Sequence, residues 1–433
     1  MAAANSTTYS ALLREIWPQD DIINELYDIN QSAYGLMQKD TSFYEVVRHI
    51  AVGYGYTGGA SATFSNAKAN KQPTVESQFK ISPVQYYSLF SIQRQLLRRA
   101  QNKKAAVVPA LERQTKMAIE VWKRRMGIYL FNTSVGAIGQ VLTAPLGTAT
   151  VNNGSGNTTQ VLTANQIQLT NVSDMRHFQK NVTVDFSVDN TGVAGVAFMV
   201  SPLVVTNLDR TNAILTFNQA VGSACPSLPG TANTYVYYSG DYNNIISGIA
   251  QWVPTTAPTS TLFFGLDRTQ DIQLLAGWRV SCLNRSMRAA GMTTAKVLHE
   301  IGGKPSHWFL SPNDFLNLQI ELESAGALKT FKEPGAPING RVFGEPYEGI
   351  SLMGPGGQIK VFFDINVPDT YGWMLDLSSW TFATMGDAPY FDQEDGNEIL
   401  RETDADAFEG RIVGDPQVYT EAPAHGAVSL LAA

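Results

Sequence analysis

A chain of 433 residues is long enough to bury more than one hydrophobic core, so two or three structural units are expected. The formal net charge of −7 and pI near 5.3 argue against a protein whose main task is gripping nucleic acid, because phosphate binding needs clustered Lys and Arg. Charged residues are only 16% of the chain while Gly, Ser, Thr, Asn and Gln are abundant, a balance that suits extended surfaces and β-rich loops better than one buried pocket.

Residues 1–50 read as an N-terminal arm. Short helical pieces carry Tyr9, Leu12, Leu13 and Ile16, then Ile22, Leu26 and Tyr27, with Pro18 breaking the pattern between them. The opening residues lack a basic start followed by an apolar core, so no secretory signal is expected. Residues 51–88 change character: GYGYTGG at Gly53–Gly59, a polar tip bearing Lys68 and Lys71, then Val75, Phe79 and Ile81 at near-strand spacing. This predicts an extended hairpin with a flexible tip, which has little core of its own and needs a partner.

Residues 89–147 contain the longest unbroken helical pattern, from about Val107 to Phe131. Leu111, Thr115, Ala118, Ile119, Trp122, Met126 and Tyr129 form an apolar stripe, with Glu112 and Lys116, and Glu120 and Arg124, as favourable four-apart pairs on the other side. At roughly 1.5 Å per residue it spans about 37 Å, enough to brace a flat domain. Residues 94–125 hold ten Lys or Arg against two Glu, which reads either as a solvated helix face or as a patch facing a polyanion or an acidic partner.

Residues 148–250 become β-like. TTQVLTANQIQL, KNVTVDFSV, GVAGVAFMV, NAILTFN and NTYVYYSG are short runs separated by Asn, Asp and Gly turns, the pattern of a small sandwich or barrel inserted into the chain. Residues 251–375 return to mixed patterning. A helical stretch lies near Leu283, Met287, Val297 and Leu298, and HWFL at His307–Leu310 reads as a buried strand. Ser311 caps the next helix, with Pro312 at its first position, Asp314 in its first turn, Phe315, Leu318 and Leu322 facing inward, and Gly326 at its end. IKVFFDINVP and GWMLDL supply further strands, and the grammar is that of an α+β layer. Residues 376–433 close the chain. Within them Asp387–Glu409 carries nine Asp or Glu against Arg401, the electrostatic counterpart of the basic run and a candidate to pair with it.

Motifs for chemistry are few. Gly53-Tyr-Gly55-Tyr-Thr-Gly58 matches G-x-G-x-x-G, but the polar stretch after it offers no helix start for a dinucleotide. Asp392–Glu398 invites a calcium reading that fails, since the fifth ligand position falls on Gly396 and the twelfth on Thr403. The five histidines, His49, His177, His299, His307 and His425, include no i,i+4 pair, and Cys225 and Cys282 are most simply free thiols. No G-x-S-x-G elbow, phosphate loop or apolar run of membrane-spanning length is present. No catalytic, cofactor-binding or metal-binding residue is therefore assigned.

The order of these segments, and several phrases within them, resembles the major capsid proteins of tailed bacteriophages, the Hong Kong 97-type fold. The likeness is carried by WVPTTAPTSTLFFGLDRTQD (252–271), HWFLSPNDFLNL (307–318) and GGQIKVFFDINVPDTYGWMLDLSSWTFATMGDAPYFDQEDGNEILRETDADAFEGRI (356–412), and by YYSLFSIQRQLLRRAQNKKAAVVPALERQTKMA in the first half. The resemblance implies an α+β fold with an N-terminal arm (1–50), an extended loop reaching a neighbouring subunit (51–88) and a peripheral domain with a long spine helix (89–147). It further implies an axial domain with its connections (251–375) and a return to the peripheral domain with a C-terminal tail (376–433). Residues 148–250 depart from the minimal plan as an inserted β-rich domain. The implied function is non-enzymatic. Pentamers and hexamers of the chain would build an icosahedral virion shell in the bacterial host cytoplasm, enclosing double-stranded DNA without reading its sequence, with scaffold, portal and decoration proteins as partners and no membrane. An encapsulin-like compartment and a β-rich phage tail or adhesion protein are the alternatives.

Overall fold

The computed structural model describes residues 33–55, 58–95, 110–132, 135–152, 156–188, 201–225, 234–324, 330–333, 337–338, 341–342, 347–386, 388–392 and 399–431. The helical pieces expected before residue 28, the GVAGVAFMV run, most of the basic stretch from Leu96 to Pro109, and Gly326 lie outside them. The fold is α+β, and its organising element is a helix at Ala110–Leu130.

That helix is built from good helix formers, and its central stripe is buried as the periodicity predicts, with Ala118 and Trp122 packed inward. Its last turn departs from a one-sided stripe. Met126, Ile128, Tyr129 and Leu130 are all buried, as is Phe131 just beyond, because the helix end is enclosed by other elements. Gly248 approaches so closely that a Cβ there would lie 2.3 Å from the Tyr129 carbonyl oxygen. The Phe131 ring packs 5.6 Å from Trp373 and 5.9 Å from Phe309.

Along the helix lies a strand at Tyr86–Gln93, paired antiparallel over its whole length with Ala407–Gly414. Its residues LFSIQ precede the basic run, and their alternating burial, with Tyr86, Phe90 and Ile92 inward, makes them strand rather than an approach to the helix. Trp122 donates from Nε1 to the Tyr86 carbonyl at 3.3 Å. Gly414 lies under the same indole, where a Cβ would come within 2.7 Å of the ring.

After the helix the chain forms a closed six-stranded barrel from Gly139–Thr143, Gln166–Leu169, Thr183–Ser187, Leu203–Asp209, Ile214–Phe217 and Tyr235–Tyr238. The first barrel strand begins at Gly139, nine residues before the boundary that composition alone suggests. A separate hairpin, Thr148–Asn152 with Asn157–Val161, lies against the barrel, with Ala149 and Val151 buried beside Ile214. Ile167, Val184, Phe186, Leu203, Leu215 and Val236 fill the interior, and closure removes the open edges such short strands would expose.

The remaining large unit is a seven-stranded mixed sheet in the order Trp278–Ser281, Gly426–Leu430, Tyr371–Leu375, His307–Leu310, Gly357–Phe363, Tyr347–Gly354 and Thr330–Glu333. Helices Met287–Glu300 and Pro312–Ser324 pack against it. The run HWFL is apolar on both faces because both are covered: Trp308 and Leu310 face the two helices, while Phe309 joins the core shared with the long helix. Helix 312–324 starts as its sequence predicts. Ser311 Oγ accepts from the Asp314 amide at 3.1 Å and donates to its carboxylate at 2.8 Å, and that carboxylate also accepts from the Thr370 amide at 3.0 Å.

Candidate interaction surfaces

The hairpin expected from the second segment forms between Arg48–Gly55 and Val75–Ile81, seven paired positions with a bulge near Gly55. Its two ends differ sharply. At the base, Phe79 and Ile81 are fully buried, and the Phe79 ring sits 5.0 Å from Trp252 and 6.4 Å from Phe263 in edge-on contacts. The Lys80 amide donates to the Phe264 carbonyl at 2.8 Å. Arg48 reaches Asp40 at 2.5 Å and Glu45 at 3.0 Å, and lies over the Phe43 ring at 4.7 Å. The Ser42 hydroxyl and the Arg48 guanidinium hold the Asp40 carboxyl down to about 2, so this anchor is ionised throughout the ordinary pH range.

Toward the tip these contacts end. Val75 is 44% exposed, and a short helix at Phe64–Ala69 buries none of its residues, leaving Phe64 84% exposed. The helix corrects the reading of a flexible tip without helix: Ala67, Lys68 and Ala69 favour a turn of helix once the flanking glycines have ended the strand. No strand of the described residues extends the two-stranded ladder on either side. An isolated two-stranded ribbon is marginal in water, and this one has a rigid base and a tip with nothing of its own to lie on.

Beside the base a cleft of about 920 Å³ opens between residues 43–46, the turn at 82–87, the long helix and the loop that leaves the barrel at 239–244. Its floor is a charged cluster. Tyr86 donates to the Asp241 carboxylate at 2.8 Å, Tyr129 donates to the same carboxylate, and Arg125 stands 3.4 Å from it. Arg125 also donates to the Tyr86 oxygen at 2.8 Å and stacks on the Tyr238 ring at 4.2 Å. Burial pushes Asp241 upward, opposed by Arg125, and pushes the Tyr86 and Tyr129 phenols well above their usual range. Both phenols therefore stay protonated and serve as donors. The cluster ties strand, helix and barrel together and presents no activated nucleophile. Arg125 falls three residues after Trp122 and four before Tyr129, so its place beside the apolar stripe was legible, but the Asp241 partner is too far along the chain to be read from spacing.

The other sequence motifs do not converge. Gly53 and Gly55 lie within a hairpin strand rather than at a strand-to-helix turn, so the nucleotide pattern has no phosphate site. Of Asp392–Glu398 only Asp392 is among the described residues. His177 bonds the Ile138 carbonyl at 2.9 Å and burial pushes its pKa down to about 3, His49 meets Gln78 and His307 meets Ser306. Among the described residues no group of three or more His, Cys, Asp or Glu could hold a metal, and no helix is long and apolar enough to cross a membrane. Both cysteines are free and buried.

The two oppositely charged runs touch within the chain at Arg94 and Asp406, 2.9 Å apart. Part of the basic run is also spent internally: Arg124 donates to the Arg176 carbonyl and Arg125 enters the Asp241 cluster, so neither belongs to a merely solvated face.

No known family model matches the chain, and no curated protein matches it. Several solved structures are similar to this chain over most of its length. The capsid asymmetric unit of cyanophage A-1(L) has 12% identity and a TM-score of 0.48, with 96% of each chain covered. The SrpI encapsulin of Synechococcus elongatus has 7% identity and a TM-score of 0.46, covering 99% of this chain and 95% of its own. A structure from Mycobacterium phage Bobi has 9% identity and a TM-score of 0.43, with both chains covered completely.

Proposed function

We propose that this chain is the major capsid protein of a tailed bacteriophage, a non-enzymatic subunit whose copies assemble into the closed shell around the genome. The observation that carries the reading is the hairpin: its base is locked into the core by Phe79, Ile81 and Arg48, while its tip helix buries nothing and leaves Phe64 bare. A protein that ended there as a monomer would hold an exposed aromatic on a marginal ribbon for no return. A protein that packs the ribbon onto its neighbour gains contact area from every copy, and a repeating head-to-tail contact closes into rings.

On this reading the hairpin is the extended loop, helix 110–130 is the spine of the peripheral domain, and the seven-stranded sheet with its two helices is the axial domain. Strand 407–414 returns the chain to the peripheral domain, and the barrel is the insertion, in line with the Hong Kong 97-type arrangement that the sequence resembles. Pentamers and hexamers form the shell, assembled in the host cytoplasm and carried in the virion, with scaffold, portal and decoration proteins as the remaining partners. The net charge of −7 suits a container, because a lining that gripped DNA phosphates would hinder their packing.

Electron microscopy of the purified chain tests the proposal. Hollow polyhedral particles are expected, with nucleic acid inside those recovered from phage-producing cells. A stable monomer over the micromolar range overturns the shell reading, and particles that enclose a protein cargo without nucleic acid replace it with the encapsulin-like alternative.

A further inference from the structure

We propose that the cleft beside the hairpin base binds a small aliphatic amine, its ammonium held by the Asp415 carboxylate and its carbon stem lying on the rim. The inference goes beyond the shell reading and does not depend on it, because every residue it uses belongs to one copy of the chain.

The first reason is a charge left over. The cleft is lined by Glu45, Arg125, Asp241 and Asp415. Glu45 is paired with Arg48 at 3.0 Å and Asp241 with Arg125 at 3.4 Å, which leaves Asp415. Among the described residues no Lys or Arg forms an ion pair with it. Its carboxylate meets only the Tyr390 hydroxyl, at 3.5 Å, a distance at which little of a hydrogen bond survives. Yet Asp415 is only 4% exposed. A carboxylate so enclosed needs a cation or several donors, and the chain supplies neither.

The second reason is that the carboxylate is held in place. Strand 407–414 ends one residue earlier, with Gly414 opposite Tyr86, and one residue later the Pro416 carbonyl accepts from the Val84 amide at 3.2 Å. Backbone pairing on both sides therefore fixes Asp415 at the wall of the cleft. Burial raises its pKa against the pull of Tyr390, and an ammonium beside it would favour the ionised form again.

The third reason is the character of the remaining surface. The rim carries apolar side chains that the chain does not cover, Tyr44 at 70% exposed and Val46 at 85%, with Tyr87 beside them. Several such residues around one concave site mark a contact surface. An alkyl stem packs on them, and the tyrosine faces attract an ammonium. A hard metal ion suits the site poorly, since it gathers six or more oxygen ligands and no described group of three or more His, Cys, Asp or Glu could hold one. The walls come from residues 43–46, 82–87, 239–244 and the long helix. A ligand that spans them binds the folded chain alone and stabilises it by mass action.

Titration of the purified full-length chain with n-butylamine hydrochloride at neutral pH, followed by calorimetry, tests the inference. A saturable rise in the unfolding midpoint is expected. Neither n-butanol, which has the stem without the charge, nor sodium chloride at equal ionic strength should reproduce it. Asp415→Asn keeps the side-chain shape and should weaken amine binding by about tenfold or more. Val46→Lys, at an exposed position that cannot disturb folding, places a competing ammonium on the rim and should also weaken binding; it decides the matter if Asp415→Asn does not fold. No saturable response, an equal response to n-butanol or sodium chloride, or unchanged affinity in the folded variants overturns the inference. Each of these results leaves the shell reading standing.

Discussion

Arg125 on the long helix and Asp241 on the loop leaving the barrel stand 3.4 Å apart, with Tyr86 and Tyr129 donating to the same carboxylate. The three partners of Asp241 are 155, 116 and 112 residues away in sequence, so one side chain cross-links the strand at 86–93, the helix and the barrel. Desolvating a carboxylate is expensive, and only its full complement of donors makes the burial tolerable. The cluster is thus a registration device as much as a source of stability: it fixes how the barrel sits on the helix.

Asp241→Ala should be among the most damaging single substitutions in the chain. It strips Arg125 of its counter-charge and leaves two buried phenols without their acceptor, and removing one member of a buried pair costs about 3–5 kcal/mol. Asp241→Asn keeps an acceptor oxygen and should cost markedly less. Urea unfolding of the free subunit separates the two, and equal midpoints for the alanine and asparagine variants would refute the assignment.

Gly248→Ala tests the closeness of the helix end to the core. An added Cβ would sit 2.3 Å from the Tyr129 oxygen and 2.5 Å from the Leu130 Cα, both backbone atoms that no rotamer change can move aside. Overpacking of this kind costs about 1–3 kcal/mol or more, and calorimetry should show a clear fall in the unfolding midpoint. Gly222, where a Cβ would meet nothing within 4 Å, is the control, and Gly222→Ala should be close to neutral.

The pH dependence of stability contains two opposed contributions. Asp364 is buried, accepts from the Ala33 and Asn366 amides at 2.9 Å each, and is pushed by burial up to about 6. The folded state then holds a proton that the unfolded state, near 3.9, has released, so this group's contribution is fully present below about pH 4 and is lost as pH rises through 6. His177, pushed down to about 3 by burial, acts the other way, because below about 6.5 the unfolded chain takes up a proton that the folded chain refuses. Asp364→Asn removes the first and keeps the second. The stability of the native chain relative to this variant should be about 2 kcal/mol greater at pH 4.5 than at pH 7.5, and a difference that is flat with pH would show that Asp364 titrates normally.

What could be read from the sequence was what is local. Ser311, Pro312 and Asp314 carry their helix start within four residues, and HWFL announces a strand covered on both faces. The hairpin limbs were legible because Val75, Phe79 and Ile81 alternate, and the apolar stripe through Trp122 and Met126 announced the long helix. Non-local features were hidden. The barrel strand at Leu203–Asp209 has a burial pattern that weakens toward its end, so it gave no alternation strong enough to stand out before its pairing partners were known. The cleft floor depends on contacts more than a hundred residues apart. The tip helix was masked by Gly58 and Gly59, whose turn signal outweighs the helix-forming residues that follow.

Deleting residues 60–72 should divide folding from assembly. The deletion removes the Phe64–Ala69 helix, which buries no residue, and leaves Phe79, Ile81, Arg48 and their partners at the base untouched, so the loss in subunit stability should stay below about 1 kcal/mol. Joining the two limbs by a shorter turn also lowers the entropy of closing the loop by only a fraction of a kcal/mol. Assembly is a different matter, since on the shell reading each copy then lacks the limb that would reach its neighbour. Sedimentation should find the truncated chain folded, with the native circular dichroism spectrum, and confined to small species under conditions where the full chain gives particles. Closed shells from the truncated chain would mean that neighbours are held by other surfaces and that the hairpin is ornamental; an unfolded truncation would mean that the tip contributes to the core after all, although none of its helix residues is buried.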